Sequence, residues 1–407
     1  MPLTRRQFLQ GCSLSIAALA GARLTNVAFA QSETPADTLV VVFLRGGWDA
    51  LNVVPPLDGD DRGLYEAARP AIKVPARSLL PLDERFGLHP ALAPLHEIYQ
   101  SGHLGLVHAV GLNFDTRSHF DAMEFIELGT PGSKSSTTGW ITRHLQAAQA
   151  GSGLLPAVAS PSAPTSLLNY TPAVSMSNPS DLSQWDNGLL SEQQAALRHL
   201  YAGGGLVHQV GIRTIQAVQA VAPLGEQEYR PANGARYGED ELGTQLQTVA
   251  RLIKGDFGLQ VATVDFGGWD THQYENDGIG GYLGGQLESL GRNLAAFYQD
   301  LDSGFTEKLS VVVLSEFGRR LAQNDSRGTD HGHGSVMLAL GGKVNGGKVY
   351  GSWPGLTTDQ LYDRADLAIT TDYRQVLGEL LVRRLASPDL AAVFPGFSPA
   401  PELGLFQ

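Results

Sequence analysis

Seven side chains in this 407-residue chain pair donor chemistry with a telling position: Asp49, Asp270, His272, Glu316, Asp330, His331 and His333. They fall just after short apolar runs or in the loops between such runs. Carboxylate oxygens and imidazole nitrogens without sulfur suit zinc, manganese, magnesium, calcium or iron, and two adjacent ions would need about this many donors. A lone Asp or His more often serves a turn or a helix cap. Seven donors on four separate segments point instead to one or two divalent metal ions. The string Thr329-Asp330-His331-Gly332-His333-Gly334 carries most of this signal, because glycines beside the imidazoles let both approach one point. A glycine-rich turn is the plainer alternative.

A second group could supply a nucleophile and cations. In Asn113-Phe114-Asp115-Thr116-Arg117-Ser118-His119-Phe120, Ser118 precedes an expected helix beginning near Phe120. A hydroxyl there meets backbone N–H donors and the positive end of the helix dipole, which stabilise an alkoxide. The same position is also where serine most often acts as a plain N-cap. Arg45, Arg117, Arg319 and Arg320 could hold an anionic group through bidentate guanidinium contacts. Arg117 and Arg319 weigh most, each lying within three residues of a candidate ligand or nucleophile. His119 stands between a ligand and a structural reading. No Gly-x-Ser-x-Gly elbow, Walker loop, strand-borne Gly-x-Gly-x-x-Gly or His-Glu-x-x-His occurs, which argues against esterase, NTPase, nicotinamide oxidoreductase and zincin chemistry.

The elements that must position these residues read as alternating strands and helices. Thr38 to Leu44, Leu104 to Val110, Leu259 to Val264, Leu309 to Leu314 and Ser335 to Leu340 are buried-strand patterns. Gln286 to Leu301 and Leu242 to Ile253 carry an apolar face at helical spacing. The expected fold is α/β: a doubly wound, mostly parallel sheet with helices on both faces. A segment of about 151–235, rich in Ser, Pro, Ala and Gly before a helical stretch from Ser191, is expected to be a cap insertion. Gly46-Gly47-Trp48-Asp49 and Gly267-Gly268-Trp269-Asp270 each follow a strand, which places both aspartates at the carboxyl edge where open α/β sheets bind ligands.

Composition bounds the partners. With 43% hydrophobic and 17% charged residues the chain can build a core and is not a disordered polyelectrolyte. Residues 1–30 read as a twin-arginine signal peptide: Arg5-Arg6, an apolar block from Leu14 to Ala22, then Ala28-Phe29-Ala30. The expected destination is the periplasm or another exported location, reached through the twin-arginine machinery, with any metal loaded before export. The net charge is −12, and setting aside a leader with three arginines and no acids makes it −15. That balance disfavours nucleic acid and anionic membrane as partners. Cys12, the only cysteine, lies in the leader, so the mature chain has no thiolate ligand. Nothing downstream approaches the roughly 18 apolar residues of a span, so no stable membrane insertion is expected after cleavage.

Arg45-Gly46-Gly47-Trp48-Asp49-Ala50-Leu51-Asn52, Leu88-His89-Pro90-Ala91-Leu92, Ser118-His119-Phe120-Asp121-Ala122, Gly139-Trp140, Gly268-Trp269-Asp270-Thr271-His272, Ser315-Glu316-Phe317-Gly318-Arg319 and Gly328 to Gly334 together resemble the DUF1501 family of exported proteins. That family is similar to the alkaline phosphatase and sulfatase superfamily. The resemblance implies metals at strand ends, a Ser, Thr or modified Cys nucleophile, and hydrolysis of a small anionic ester of phosphate or sulfate. On it, Asp49 matches the first-strand metal aspartate, Ser118 or Thr116 the nucleophile, Asp270 with His272 a ligand pair, and His331 or His333 the late histidine ligand. Two departures stand out: Phe317 replaces a metal-binding histidine and Glu316 an aspartate. With no Cys-x-Pro-x-Arg motif, a formylglycine mechanism is excluded. A catalytically inactive envelope binding protein that keeps the fold is the alternative reading.

Overall fold

Strand β1 (Thr38–Leu44) is buried at every position after Thr38, the pattern of a strand covered on both faces. Leu39, Val41 and Phe43 enter one apolar cluster and Val40, Val42 and Leu44 another, so the two cores lie on opposite faces. Each such side chain, fully buried, contributes about 1.5–3 kcal/mol. The computed structural model describes residues 37–148, 153–182, 191–275, 277–387 and 389–407. The leader expected at residues 1–30 lies outside the described residues.

The remaining strands are β2 (Leu80–Pro81), β3 (Gly87–Leu88), β4 (Leu104–Gly111), β5 (Ala157–Ser160), β6 (Ala173–Ser175), β7 (Val261–Phe266), β8 (Leu309–Ser315), β9 (Arg319–Gln323), β10 (Thr329–His331), β11 (Ser335–Leu340), β12 (Val349–Tyr350) and β13 (Thr371–Asp372). Nine form one sheet in the order β12-β4-β11-β8-β1-β7-β5-β6, with β13 also on β4. Only β11 runs antiparallel to its neighbours in that sheet. Helices Ala93–Gln100, Glu241–Lys254 and Gly281–Thr306 cover one face, while His119–Leu128, Trp140–Ala147 and Tyr373–Arg383 cover the other. This is a doubly wound, mostly parallel α/β sheet. On Gly281–Thr306 the spaced Leu287, Leu290, Leu294, Phe297 and Leu301 are all buried, as their helical period requires.

Part of the span expected as a cap has a different role. Ala157–Ser160 and Ala173–Ser175 pair in parallel and extend the sheet beyond β7. Small alanines and serines at these positions hide the strand pattern, because only Val158 and Val174 carry β-branched bulk. The expected helical stretch from Ser191 is two helices, Ser191–Leu200 and Leu206–Glu226, parted around Gly203-Gly204-Gly205. The second packs Ala217 and Val221 into the core that holds Val40, Val42 and Leu44. Among the described residues, no helix is long and apolar enough to cross a membrane.

Register brings the chemistry to one height. Leu44 pairs with Phe266 on one side and Ser315 on the other, so the loops after β1, β7 and β8 start level with one another. The antiparallel β11 begins at Ser335 opposite Val110, which brings the histidines that precede it to the same edge.

Candidate metal centre

Above that edge, three imidazoles converge on one carboxylate oxygen. His272 Nε2, His331 Nε2 and His119 Nε2 lie 3.1, 3.3 and 3.4 Å from Asp270 Oδ1. His272 Nε2 and His331 Nε2 are 2.9 Å apart. Each segment is placed by backbone pairing: Trp269 N–H donates to Arg45 O, Thr329 N–H to Thr271 O, and His331 faces Arg319 across the β9–β10 hairpin. Gly46 permits the first contact, since its φ is 126° and a Cβ there would sit 2.5 Å from Asp270 N. Gly332 permits the last, since a Cβ would meet the Arg319 carbonyl carbon at 2.4 Å.

The outer nitrogens of these rings all face oxygen acceptors. His119 Nδ1 meets Glu316 Oε1 at 2.6 Å, His331 Nδ1 meets the Arg117 carbonyl at 2.7 Å, and His272 Nδ1 meets Asp330 Oδ1 at 3.2 Å. A carbonyl or carboxylate only accepts, so each Nδ1 donates and each neutral ring turns its Nε2 lone pair inward. Three lone pairs and a carboxylate oxygen then face one another, an arrangement that repels unless a cation lies among them. His119 Nε2 is buried without a hydrogen-bond partner. Donors about 2.0–2.1 Å from a tetrahedral zinc stand about 3.3 Å from each other, which the three distances to Asp270 Oδ1 match; His119, Asp270 and His331 are the mutually close set, with His272 adjoining it through Asp270 and His331. The chemistry of the set therefore fits a metal ion, and the carboxylate–imidazole pairs supply the outer hydrogen bonds such ligands usually have.

Charge at the site is finely set. Burial pushes the Asp270 carboxyl up, but the Arg319 bond and charge, with His119 and His272, hold it at about 2. Burial opposes protonation of His119, yet Glu316 and Asp270 raise its pKa above the ordinary imidazole value. His331 is lowered by burial and by the positive groups around it. Phe317 closes one wall, its ring centroid 4.8 Å from His119 and 5.0 Å from His331. It gives bulk where the resemblance had a donor.

Several expected residues stand elsewhere. Asp49 is fully buried and its two oxygens are bonded by the Arg69 guanidinium, with Nη2 2.9 Å from Oδ1. Beside it Glu275, also buried, accepts from Asn52 Nδ2 at 3.1 Å and Thr329 Oγ1 at 2.5 Å. Burial and the Asp49 charge push the Glu275 carboxyl well above its ordinary range, while the Arg69 guanidinium holds Asp49 below its own. Asp49, expected among the ligands, is thus engaged by Arg69 on both oxygens and stands apart from the imidazoles around Asp270. His333 also stands apart from the cluster: it stacks on Tyr362 at 4.0 Å, and burial lowers it to about 4.

Glu316 and Asp330 join the cluster from behind, as acceptors for His119 and His272. Glu316 Oε1 also accepts from Gly46 N at 2.8 Å and Oε2 from Ser315 Oγ at 2.9 Å. Ser118 caps its helix, accepting from Asp121 N at 3.4 Å. Arg117 is bonded to Asp363 and Asp366, and Arg319 is buried, bonded to Asp270 Oδ1 at 2.7 Å and to carbonyls of Gly47, Trp269 and Thr329. Neither is a free clamp for an anion. Arg69 and Glu275 escaped sequence reasoning altogether, since neither lies near a strand-end motif. His119, left between two readings by sequence, is a member of the cluster, and its place at the first turn of a helix after β4 was the signal available.

No curated protein matches the chain. Among solved structures it is similar to a protein in the alkaline phosphatase superfamily from Vibrio parahaemolyticus, at 11% identity and TM-score 0.31, covering 84% of this chain and 69% of that one. It is also similar to Ps i-CgsB in complex with k-i-k-neocarrahexaose, at 10% identity and TM-score 0.38, covering 90% and 73%. Residues 36–385 match the family described as "Protein of unknown function (DUF1501)", and to that family the chain belongs.

Proposed function

We propose that the protein is a hydrolase of small phosphate or sulfate esters that depends on a single divalent metal ion, held by His119, His272, His331 and Asp270. The observation that carries this reading is the convergence of three inward imidazole lone pairs on Asp270 Oδ1. Three nitrogen donors favour zinc or another transition metal over magnesium or calcium, which prefer oxygen. Bound there, the ion would supply a Lewis acid for an ester oxygen. The count is one because the converging donors form a single cluster around Asp270, while both oxygens of Asp49 are engaged by Arg69. Glu316, Asp330 and the Arg117 carbonyl fix the ring orientations, and Phe317 keeps one side of the imidazoles dry. The nucleophile is Ser118 or water. Loss of turnover in Ser118→Ala with metal content unchanged selects the serine, and retained turnover selects water.

The working location follows from the leader: an exported, periplasmic protein, with no nucleic acid or membrane partner after cleavage. Purification without added metal, elemental analysis, and assay against aryl phosphates, phosphodiesters and aryl sulfates test the whole reading. One equivalent of a transition metal with turnover on one panel supports it. Absence of metal after incubation with zinc or manganese overturns it. The second reading, an envelope binding protein without turnover, is favoured by the capping bond of Ser118 and by the committed state of Arg117 and Arg319. Tight binding of an anionic ester with no turnover on any panel would select it.

A further inference from the structure

A groove of about 860 Å³ lies along the β12 edge of the sheet, and none of its lining residues belongs to the imidazole cluster. The start of helix Gly59–Ala68, the β2–β3 hairpin, β4 and the loop after β12 build it. Its size falls within the roughly 300–1,000 Å³ of small-molecule sites. The inner wall is aromatic: Phe86, His108 and Trp353 pack in a triangle with ring centroids 4.7, 4.9 and 5.0 Å apart. Phe86 and His108 are buried, whereas Trp353 is half-buried, its indole fixed by donation from Nε1 to Asp61 Oδ2 at 2.7 Å. His108 accepts from Ala109 N–H at Nδ1 and donates from Nε2 to the Val54 carbonyl, so its ring is neutral.

The rim is acidic. Asp58, Asp60, Asp61, Asp83 and Glu84 line the groove against a single cationic side chain, Arg85. Asp61 is committed to the indole and to Leu356 N–H, and Asp83 Oδ1 to the N–H groups of Arg85 and Phe86. Asp58, Asp60 and Glu84 are exposed and form no ion pair among the described residues, and neither does Arg85. The helix dipole accounts for Asp60 in the first turn of Gly59–Ala68, but Glu84 stands on the β2–β3 hairpin and owes nothing to it. Three unpaired carboxylates on one rim repel one another, and cations between them remove that cost.

Their spacing selects the kind of cation. Among the described residues, no three of these carboxylates bring oxygens within 4.8 Å of one another, as the shell of one metal ion requires. Separate charges along an aromatic wall suit a ligand whose ammonium groups are joined by methylenes, which meets the carboxylates singly and lays its stem on the indole. An extended peptide fits less well, since β12 is two residues long and offers few backbone partners. We propose that this groove binds a linear aliphatic polyamine, its ammonium groups on Asp58, Asp60 and Glu84 and its methylenes against Trp353. The site is separate from the metal centre and does not depend on the hydrolase reading.

The test titrates wild-type protein with spermidine by calorimetry, then Trp353→Leu, then the pair Asp60→Asn with Glu84→Gln. A control pair, Glu239→Gln with Glu288→Gln, removes the same charge from exposed acids outside the groove. The expected result is one spermidine per wild-type chain, with affinity lowered about tenfold in Trp353→Leu and about three- to tenfold in the groove pair, and unchanged in the control pair. Equal losses in the groove and control pairs would reduce the binding to the net charge of the chain and overturn the proposal. So would absence of binding by wild type or unchanged affinity in the groove pair. Displacement of spermidine by equimolar calcium would mark a metal site instead, and tighter binding of trilysine a peptide site, and either overturns it. Trp353 also packs on Phe86, so if Trp353→Leu does not fold, the exposed groove pair decides alone.

Discussion

The tetrapeptide Gly-Gly-Trp-Asp occurs twice, after two neighbouring parallel strands, and its two copies meet opposite ends. Both tryptophans are fully buried and pack edge to face at 5.8 Å. Asp49 is 0% exposed, ion-paired to Arg69 and flanked by Glu275, whose carboxyl is pushed well above its ordinary range. Asp270 has a side chain 49% exposed, with three imidazoles and one guanidinium nitrogen around a single oxygen. The first environment is saturated, with every charge matched inside the protein. The second is left incomplete and opens to solvent. Identical local sequence thus yields a structural knot in one place and a ligand-seeking one in the other, and the distant partners Arg69 and His331 make the difference.

The sharpest way to break this contrast is at the open copy. The double variant Asp270→Ala, His272→Ala should lose bound metal and lower ester turnover by on the order of a thousandfold, the several kcal/mol that metal polarisation supplies. Elemental analysis and initial rates check it, and survival of both properties would show that the open cluster is not the centre. At the closed copy the effect should fall on stability instead. Asp49→Ala leaves Arg69 buried and unpaired, so unfolding by denaturant should show a loss of about 3–5 kcal/mol, with zinc per folded molecule unchanged. Zinc loss from folded Asp49→Ala would erase the distinction.

Smaller changes sharpen it. Glu316→Gln keeps the shape behind His119 and removes the charge, so chelator competition should report metal affinity weakened about 10–100-fold, as for other outer hydrogen-bond partners. The mildest effect is on pH dependence. Glu275 is raised by burial and then by the Asp49 charge, so the folded chain keeps a proton that the unfolded chain releases near pH 4.5. The stability contributed is complete below that pH and declines as pH rises towards the folded value. Glu275→Gln removes this term, so the stability of wild type minus variant should fall through that window. A difference that stays flat up to about pH 8 would mean Glu275 is ionised beside Asp49.

Much of this architecture was legible beforehand. Five apolar runs are strands within two residues of their expected ends, because a strand covered on both faces needs uninterrupted bulk. Asp270, His272 and His331 were legible as candidate ligands for the same reason, each following or flanking such a run. β5 and β6 were not, since alanine and serine carry little strand signal. Nor was the fate of Asp49, because Arg69 lies twenty residues on, in a segment with no motif, and only packing reveals that its guanidinium reaches back. His333 shared the glycine-flanked string of His331, yet one residue of separation beyond the hairpin turned it towards Tyr362.

The order of residues alone determined that carboxylates and imidazoles would gather along the carboxyl edge of a parallel sheet, because hydrophobic periodicity sets strand ends and strand ends set loops. Only the tertiary structure decided which of them meet. A hydrogen bond or a ligand contact depends on distances of a few tenths of an ångström between chain segments hundreds of residues apart. Such distances are set by packing and register, for which the spacing of residues along one segment carries no information.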